Sequence, residues 1–231
     1  MKENKEFKNN ENYFKKGEAL KFIGIGLIVL SAVLYFFGWG YISYILMCIG
    51  LPLGAVLFIL STLGRSSEAD IDAYVKKHTQ NVEHKTDDYK KFQKRFLKAI
   101  PTQTIEDYDF SEGLMYKKGK TGEIRSSRYC KAVIYPLDTG LCICFRKLSL
   151  VSDEVENNEI EIPYTEISVF EIKSEEKKLV CGKNIMKVKK ASLMIGHSDG
   201  TVLSLPIQDN IKTEEFVKNI NEQISSAKAS E

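Results

Sequence analysis

For 42 consecutive residues, 22–63, the chain carries no charged side chain. That absence excludes an ordinary solvated surface for the segment, because surface helices alternate apolar and charged faces. An excess of either sign of charge is also missing from the chain as a whole. Thirty-three basic residues face 31 acidic ones, for a net charge of +2, so no basic excess points to nucleic acid. Histidine is scarce, with three in 231 residues. His78 and His84 are six apart, on different faces of any helix, and His197 falls in a turn, so none forms a ligand pair. No CxxC or zinc spacing, no glycine-rich phosphate loop and no nucleophile–base motif is present, which leaves no sequence case for an enzyme, a metal or a cofactor. The five cysteines are an odd number at irregular spacing: Cys48, Cys130, Cys142, Cys144 and Cys181. Cys142 and Cys144 are expected on one face of a strand, beside Cys130 if their strands pair. They read as small buried thiols in a reducing compartment.

What fills the uncharged stretch is apolar throughout. As one helix it would run roughly 63 Å, about twice the hydrocarbon core of a bilayer. The sequence breaks it at Gly38-Trp39-Gly40-Tyr41, where two glycines permit a turn and two aromatics suit the headgroup level. Two spans are expected, 22–37 and 42–63. A cleaved signal peptide fits worse, since Glu3, Glu6, Glu11 and Glu18 precede the run and no small-x-small site follows it. Six lysines precede the first span, Arg65, Lys76 and Lys77 follow the second, and the loop has no basic residue. The positive-inside rule then puts both termini in the cytoplasm of a two-span cell-membrane protein. In the second span Gly50, Pro52 and Gly54 are candidate packing residues. GxxxG spacing lets helices approach closely, and an internal proline removes a donor. The glycines are expected against the chain's own first span near Gly24 and Gly26, or against a second copy, which would make an oligomer. Neither span holds an ionisable group, which argues against transport.

Beyond Gly64 charges appear every few positions. Ser67 can cap a helix with Asp70 in its first turn, and Ile71, Tyr74, Val75, His78 and Val82 share one face. A second start at Thr86-Asp87-Asp88 leads an apolar stripe of Tyr89, Phe92, Phe96 and Ile100, ended by Pro101. Lys90, Lys91, Lys94, Arg95 and Lys98 lie away from that stripe. Such a face suits either solvent or anionic lipid.

From Thr104 the apolar period becomes two. Short strands are predicted at 105–110, 114–117, 128–135, 141–148, 159–162, 167–173, 184–189, 192–197 and 202–205. Asp138-Thr139-Gly140 and Asp199-Gly200 mark hairpin turns. Pro163 stops one strand and Ile167 starts the next, as at a corner where a ladder ends. Thr213 can cap a last helix whose apolar face is Phe216, Val217, Ile220 and Ile224. The fold class is α+β, with the helix covering an open end of a β-layer.

In this order, RYCKAVIYPLDTGLCICFRKLSL (128–150), EIPYTEISVFEIK (161–173), SLMIGHSDGTVLSLP (192–206) and EEFVKNINEQI (214–224) resemble the bacterial pleckstrin-homology-like domains often attached to membrane spans. The resemblance covers about half the chain. It implies a seven-stranded bent barrel capped by the C-terminal helix, and no particular activity. Lipid-binding members use a basic loop between early strands, and Lys117, Lys118, Lys120, Arg125 and Arg128 stand at that place here, diluted by Glu123.

The expected organisation is a cytoplasmic tail (1–21), a transmembrane hairpin (22–63), a helical linker (64–101), the β-domain (102–226) and a short tail (227–231). The expected function is a non-enzymatic, membrane-anchored binding or scaffold protein with a protein partner and only weak contact with anionic headgroups. The alternatives are an anionic-lipid-binding module or an accessory subunit of a membrane enzyme or transporter.

Overall fold

The structure is a computed structural model that describes residues 2–15, 19–37, 40–80, 82, 95–181, 184–208 and 211–230. It is mixed α+β and divides into two compact units, 1–67 and 68–231.

The first unit is helical: α1 (Lys2–Lys15), α2 (Ala19–Phe36) and α3 (Tyr41–Thr62). Residues 2–15, read from the sequence as part of a tail, form a helix. Its apolar residues are too few for a clear period, yet Tyr13 and Phe14 are buried. The segment after α3 explains the order: the Ser66 amide donates to the Asn9 carbonyl at 3.1 Å, and the Asn12 side chain donates to the Gly64 carbonyl at 2.7 Å. Helices α2 and α3 pack face to face. Gly24 lies opposite Gly54 and Ser31 opposite Gly50, so the two run antiparallel. An added Cβ on Gly24 would sit 2.8 Å from the Gly54 carbonyl oxygen and 2.8 Å from the Phe58 nitrogen. Close backbone approach is therefore what these glycines provide. Gly26 has open space beside it, and Pro52 lies inside α3 on an exposed side.

No single helix among the described residues is long and apolar enough to cross a membrane. By length and composition the bent pair Lys5–Lys15 and Leu20–Phe36, meeting at 75°, meets that test, and Met47–Thr62 is a shorter apolar helix. Residues 38 and 39 of the anticipated loop lie outside the described residues.

The second unit begins with α4 (Glu68–Thr79), which buries Ile71, Tyr74 and Val75 as its period predicts. Three sheets follow, none closed on itself. The first is four-stranded, in the order β1 (Gln103–Tyr108), β4 (Arg128–Pro136), β5 (Gly140–Ser149), β6 (Val155–Pro163). The second pairs β2 (Tyr116–Lys118) with β3 (Ile124–Ser126), and the third runs β7 (Ile167–Cys181), β8 (Asn184–His197), β9 (Val202–Ile207). Every pairing is antiparallel. Helix α5 (Ile211–Ala229) closes the chain.

The main core lies between the first sheet, the third sheet and α5. Ile134, Leu141 and Ile143 enter from one side, Leu193, Ile195 and Leu205 from the other, and Phe216 and Ile220 from the helix. Strand β4 is buried on both faces. Its second face joins Val133 and Tyr135, with Leu137 just past the strand, to Val82, Phe96 and Cys142 in a smaller cluster.

At the Pro163 corner the first sheet hands over to the third. Tyr164–Glu166 form one 3₁₀ turn. Tyr164 is buried, with its amide donating to the Thr139 carbonyl at 3.1 Å and its hydroxyl to the Leu137 carbonyl at 3.1 Å. The strand stops because the turn's polar groups find partners on the neighbouring hairpin, not in a ladder.

Three sequence expectations need correction. Residues 95–100 do not continue an α-helix: Phe96 bridges Leu137, the Leu97 amide donates to the Pro136 carbonyl, and Phe96 stacks on Tyr135 at 5.4 Å. Backbone pairing with the β4–β5 turn wins over the helical period there. Residues 184–197 form one strand, not two, and β7 runs on to Cys181. The predicted gap fell at residues 190 and 191, but Lys190 lies 3.5 Å from Asp107 and 4.1 Å above the Phe110 ring, and Glu175 pairs opposite it. Cys130 does not neighbour Cys142 and Cys144. It pairs with Lys147 and faces the main core, whereas Cys142 and Cys144 face the opposite side, their sulfurs 4.0 Å apart. With a period of two, an even offset in one strand does not fix the face in its partner; the register does.

Candidate functional site

Ionisable groups gather in a cleft of about 600 Å³ between α4 and the β1, β3 and β4 strands. Arg125 is its centre. Strand β3 is covered on both faces, and on the face towards α4 the Arg125 side chain is only 9% exposed. It donates to both Asp72 carboxylate oxygens, at 2.7 and 3.3 Å, and also to Glu123. Its carbon stands 5.9 Å from the Tyr108 ring centre. The fork geometry of arginine suits this bidentate grip. Asp72 comes from α4, so one side chain ties the linker helix to the β2–β3 hairpin, and the Lys120 amide adds a bond to Glu68 at 2.9 Å.

Asp107 lies at the inner end of the cleft. Burial pushes its carboxyl above the ordinary value, and Lys190 at 3.5 Å works against that rise. Burial likewise raises the Tyr129 phenol. These shifts follow from desolvation opposed or aided by named charges. The cleft is a network of carboxylates and cations that answer one another. Among the described residues no group of three or more His, Cys, Asp or Glu is placed to hold a metal ion.

Of the sequence-predicted basic residues that the structure describes, Arg125 lines this cleft. Lys90, Lys91 and Lys94 lie outside the described residues. Arg95 is engaged with Glu161 at 2.6 Å, with Asp138 at 3.5 Å and with the Thr139 hydroxyl. That keeps the guanidinium above its ordinary pKa, the Glu161 hydrogen bond being the main cause. Lys98 is exposed. On the hairpin, Lys118 and Lys120 are exposed and Lys117 is half-buried. Arg125 is inward, and Arg128 stands 3.7 Å from Glu154. Each of these arginines thus has a carboxylate partner within the chain.

Sequence reasoning missed two arrangements. His197, at the end of β8, lies 2.8 Å from Glu166 and 2.9 Å from Asp199, joining the 3₁₀ corner to the β8–β9 turn. The hydrogen bond to Glu166 is the main reason that its imidazole pKa lies above the ordinary value. Asp199, two residues on, was a signal for it; Glu166 was not, being 31 residues away. The second is the distal part of the β7–β8 hairpin, which carries apolar side chains in solvent.

No family model, curated protein or solved structure matches the chain.

Replacing Arg125 tests the central clamp. Asp72 and Glu123 are half-exposed and stay hydrated once freed, so Arg125→Met is expected to cost only about 1 kcal/mol. Hydrogen exchange should then speed up in α4 and the β2–β3 hairpin while α5 stays protected. Uniform loss of protection across the unit would show that the clamp is not local.

Proposed function

We propose that this chain is a membrane-anchored binding or scaffold protein with no catalytic activity of its own. In this reading α2 and α3 span the bilayer as a hairpin with both termini in the cytoplasm. The β-rich unit is a pleckstrin-homology-like domain offered to a protein partner. The observation that carries the reading is the outer surface of the hairpin. Phe22, Val29, Leu30, Ile49, Val56 and Leu60 are all half-exposed or more, with no charged residue among them from 22 to 63. So much contiguous apolar surface is rare on a soluble protein, and a lipid environment removes it from water. The antiparallel packing at Gly24 and Gly54 gives the two helices a shared interface that needs no polar contact.

The order of the second unit supports the pleckstrin-homology-like part: a four-stranded sheet, a corner at Pro163, a three-stranded sheet, and a terminal helix on the core between them. Pairing of Arg125 and Arg128 with carboxylates of the chain itself supports a scaffold over a headgroup receptor at the early-strand loop.

Cysteine labelling with a membrane-impermeant reagent on intact cells tests the anchoring. Trp39→Cys is expected to react and Ser225→Cys to stay unreactive until the cells are opened. Reaction at position 225 with protection at position 39 would reverse the topology and defeat the reading.

A further inference from the structure

The β7–β8 hairpin extends beyond the main core. Its register is Glu176↔Lys189, Lys178↔Lys187, Leu179↔Met186 and Val180↔Ile185. Residues directly opposite share a face, and the face changes at each step. Leu179 and Met186 therefore look one way, and they pack with Phe110 and Ile124 under the β2–β3 hairpin. Val180 and Ile185 look the other way and are 62% and 72% exposed. Behind this apolar pair, on the same face, come Lys178 and Lys187, and then Lys189 with Glu176.

Two features of that face call for a partner. An apolar cross-strand pair at the end of a hairpin gains nothing from water. Two lysines directly opposite one another repel, and like pairs in this position are destabilising. Glu176 reaches Lys187 at 3.0 Å, but both side chains are more than half exposed, so that pair is easily exchanged. Three lysines against one glutamate leave the face cationic.

We infer that the end of the β7–β8 hairpin is a docking element for an anionic lipid surface, with Val180 and Ile185 entering the acyl boundary and Lys178 and Lys187 meeting the headgroups. The size of the patch selects this occupant. A specific protein interface takes about 800 Å² per partner and some 20–30 residues. Two aliphatic side chains fall far short of that. A bilayer needs no matching shape, only apolar side chains that enter it and cations that stay at the headgroup level. The site is distinct from the early-strand basic loop at 117–128, whose one buried cation is occupied by Asp72 and Glu123. It does not depend on α2 and α3 spanning a membrane.

The test uses the full-length chain in nanodiscs of zwitterionic lipid. Trp39→Phe removes the native indole and Val180→Trp places one at the hairpin end. Vesicles of phosphatidylcholine and phosphatidylglycerol with brominated acyl chains are then added. The indole at position 180 is expected to shift to the blue and to be quenched. Vesicles of phosphatidylcholine alone should leave it unchanged. Lys178→Gln with Lys187→Gln should weaken the effect about thirtyfold in lipid concentration, as expected for two basic residues near an anionic surface. Absence of quenching with anionic vesicles, or equal quenching with neutral ones, overturns the inference. A chain that fails to stay with the nanodisc defeats the proposed anchoring instead. The indole is still read against the vesicles in that case, so the two ideas fail separately.

Discussion

Phe216→Ala is expected to destabilise the β-rich unit by about 3–5 kcal/mol, the usual cost of deleting a buried aromatic. Phe216 is 4% exposed and meets Phe170 edge to face at 6.3 Å between ring centres. It enters the core from α5 together with Ile220 and Ile224. Phe170 lies on β7 just past the Pro163 corner, so the aromatic pair joins the terminal helix to the third sheet where that sheet begins. Two bonds reinforce the joint: the Asn221 amide donates to the Phe170 carbonyl at 2.9 Å, and Lys228 donates to the Ile167 carbonyl at 2.8 Å. Neither replaces the lost ring, because the cavity would remain between layers that cannot fully collapse. Each kcal/mol corresponds to roughly 2–4 °C for a unit of this size. Thermal unfolding followed by near-ultraviolet circular dichroism in mild detergent reads the effect. An unchanged midpoint would mean that α5 contributes nothing to the core.

Gly140→Ala is expected to cost about 3 kcal/mol, at the upper end for overpacking. Gly140 opens β5 and pairs with Pro163. An added Cβ would collide with the Ile162 carbonyl oxygen and lie 2.8 Å from the Pro163 Cα. Both obstacles are backbone, so no side chain can swing aside. Relief requires β5 and β6 to part at the end where the chain turns its corner. The same shift would strain the bond from the Tyr164 amide to the Thr139 carbonyl, so the damage spreads across the corner. Gly26→Ala provides the contrast, since open space surrounds that position. Denaturant titration that gives the same midpoint for Gly140→Ala and the parent would refute the account.

Gly140 also shows how far a sequence can be read. The motif Asp138-Thr139-Gly140 correctly marks a turn, but the glycine serves close approach to a strand more than twenty residues downstream. Local chemistry identifies the turn; only the register supplies the reason. The stop at Pro163 and the restart at Ile167 were legible, because proline and restart are close in sequence, but the 3₁₀ turn between them was not. The buried face of α4 was legible too, where Ile71, Tyr74 and Val75 follow the helical period. Arg125 was not. Its position among lysines and beside Gly122 suggests an exposed basic loop, while its partner Asp72 lies 53 residues earlier on another element. The end of the β7–β8 hairpin was hidden for a related reason. Val180 and Ile185 look like ordinary strand residues until the length of the two strands is known. Charged ladders such as Glu175↔Lys190 are invisible to a hydrophobic period, so the reading ended β7 too soon.

The placement of thiols on both faces of the first sheet equips the chain with two internal clocks. Cys130 is shielded by the main core, and its sulfhydryl pKa is pushed up to about 12 by burial. Cys142 is equally hidden but under the opposite layer, with the sulfur of Cys144 beside it. A disulfide reagent in excess attacks a buried thiol only when its own cover lifts. Modification traced residue by residue in the native polypeptide therefore times the departure of α5 and the third sheet separately from that of the side chains of Val82 and Phe96. Nothing foreign need be introduced, and the order in which the layers peel away becomes a measurable property of the wild-type molecule.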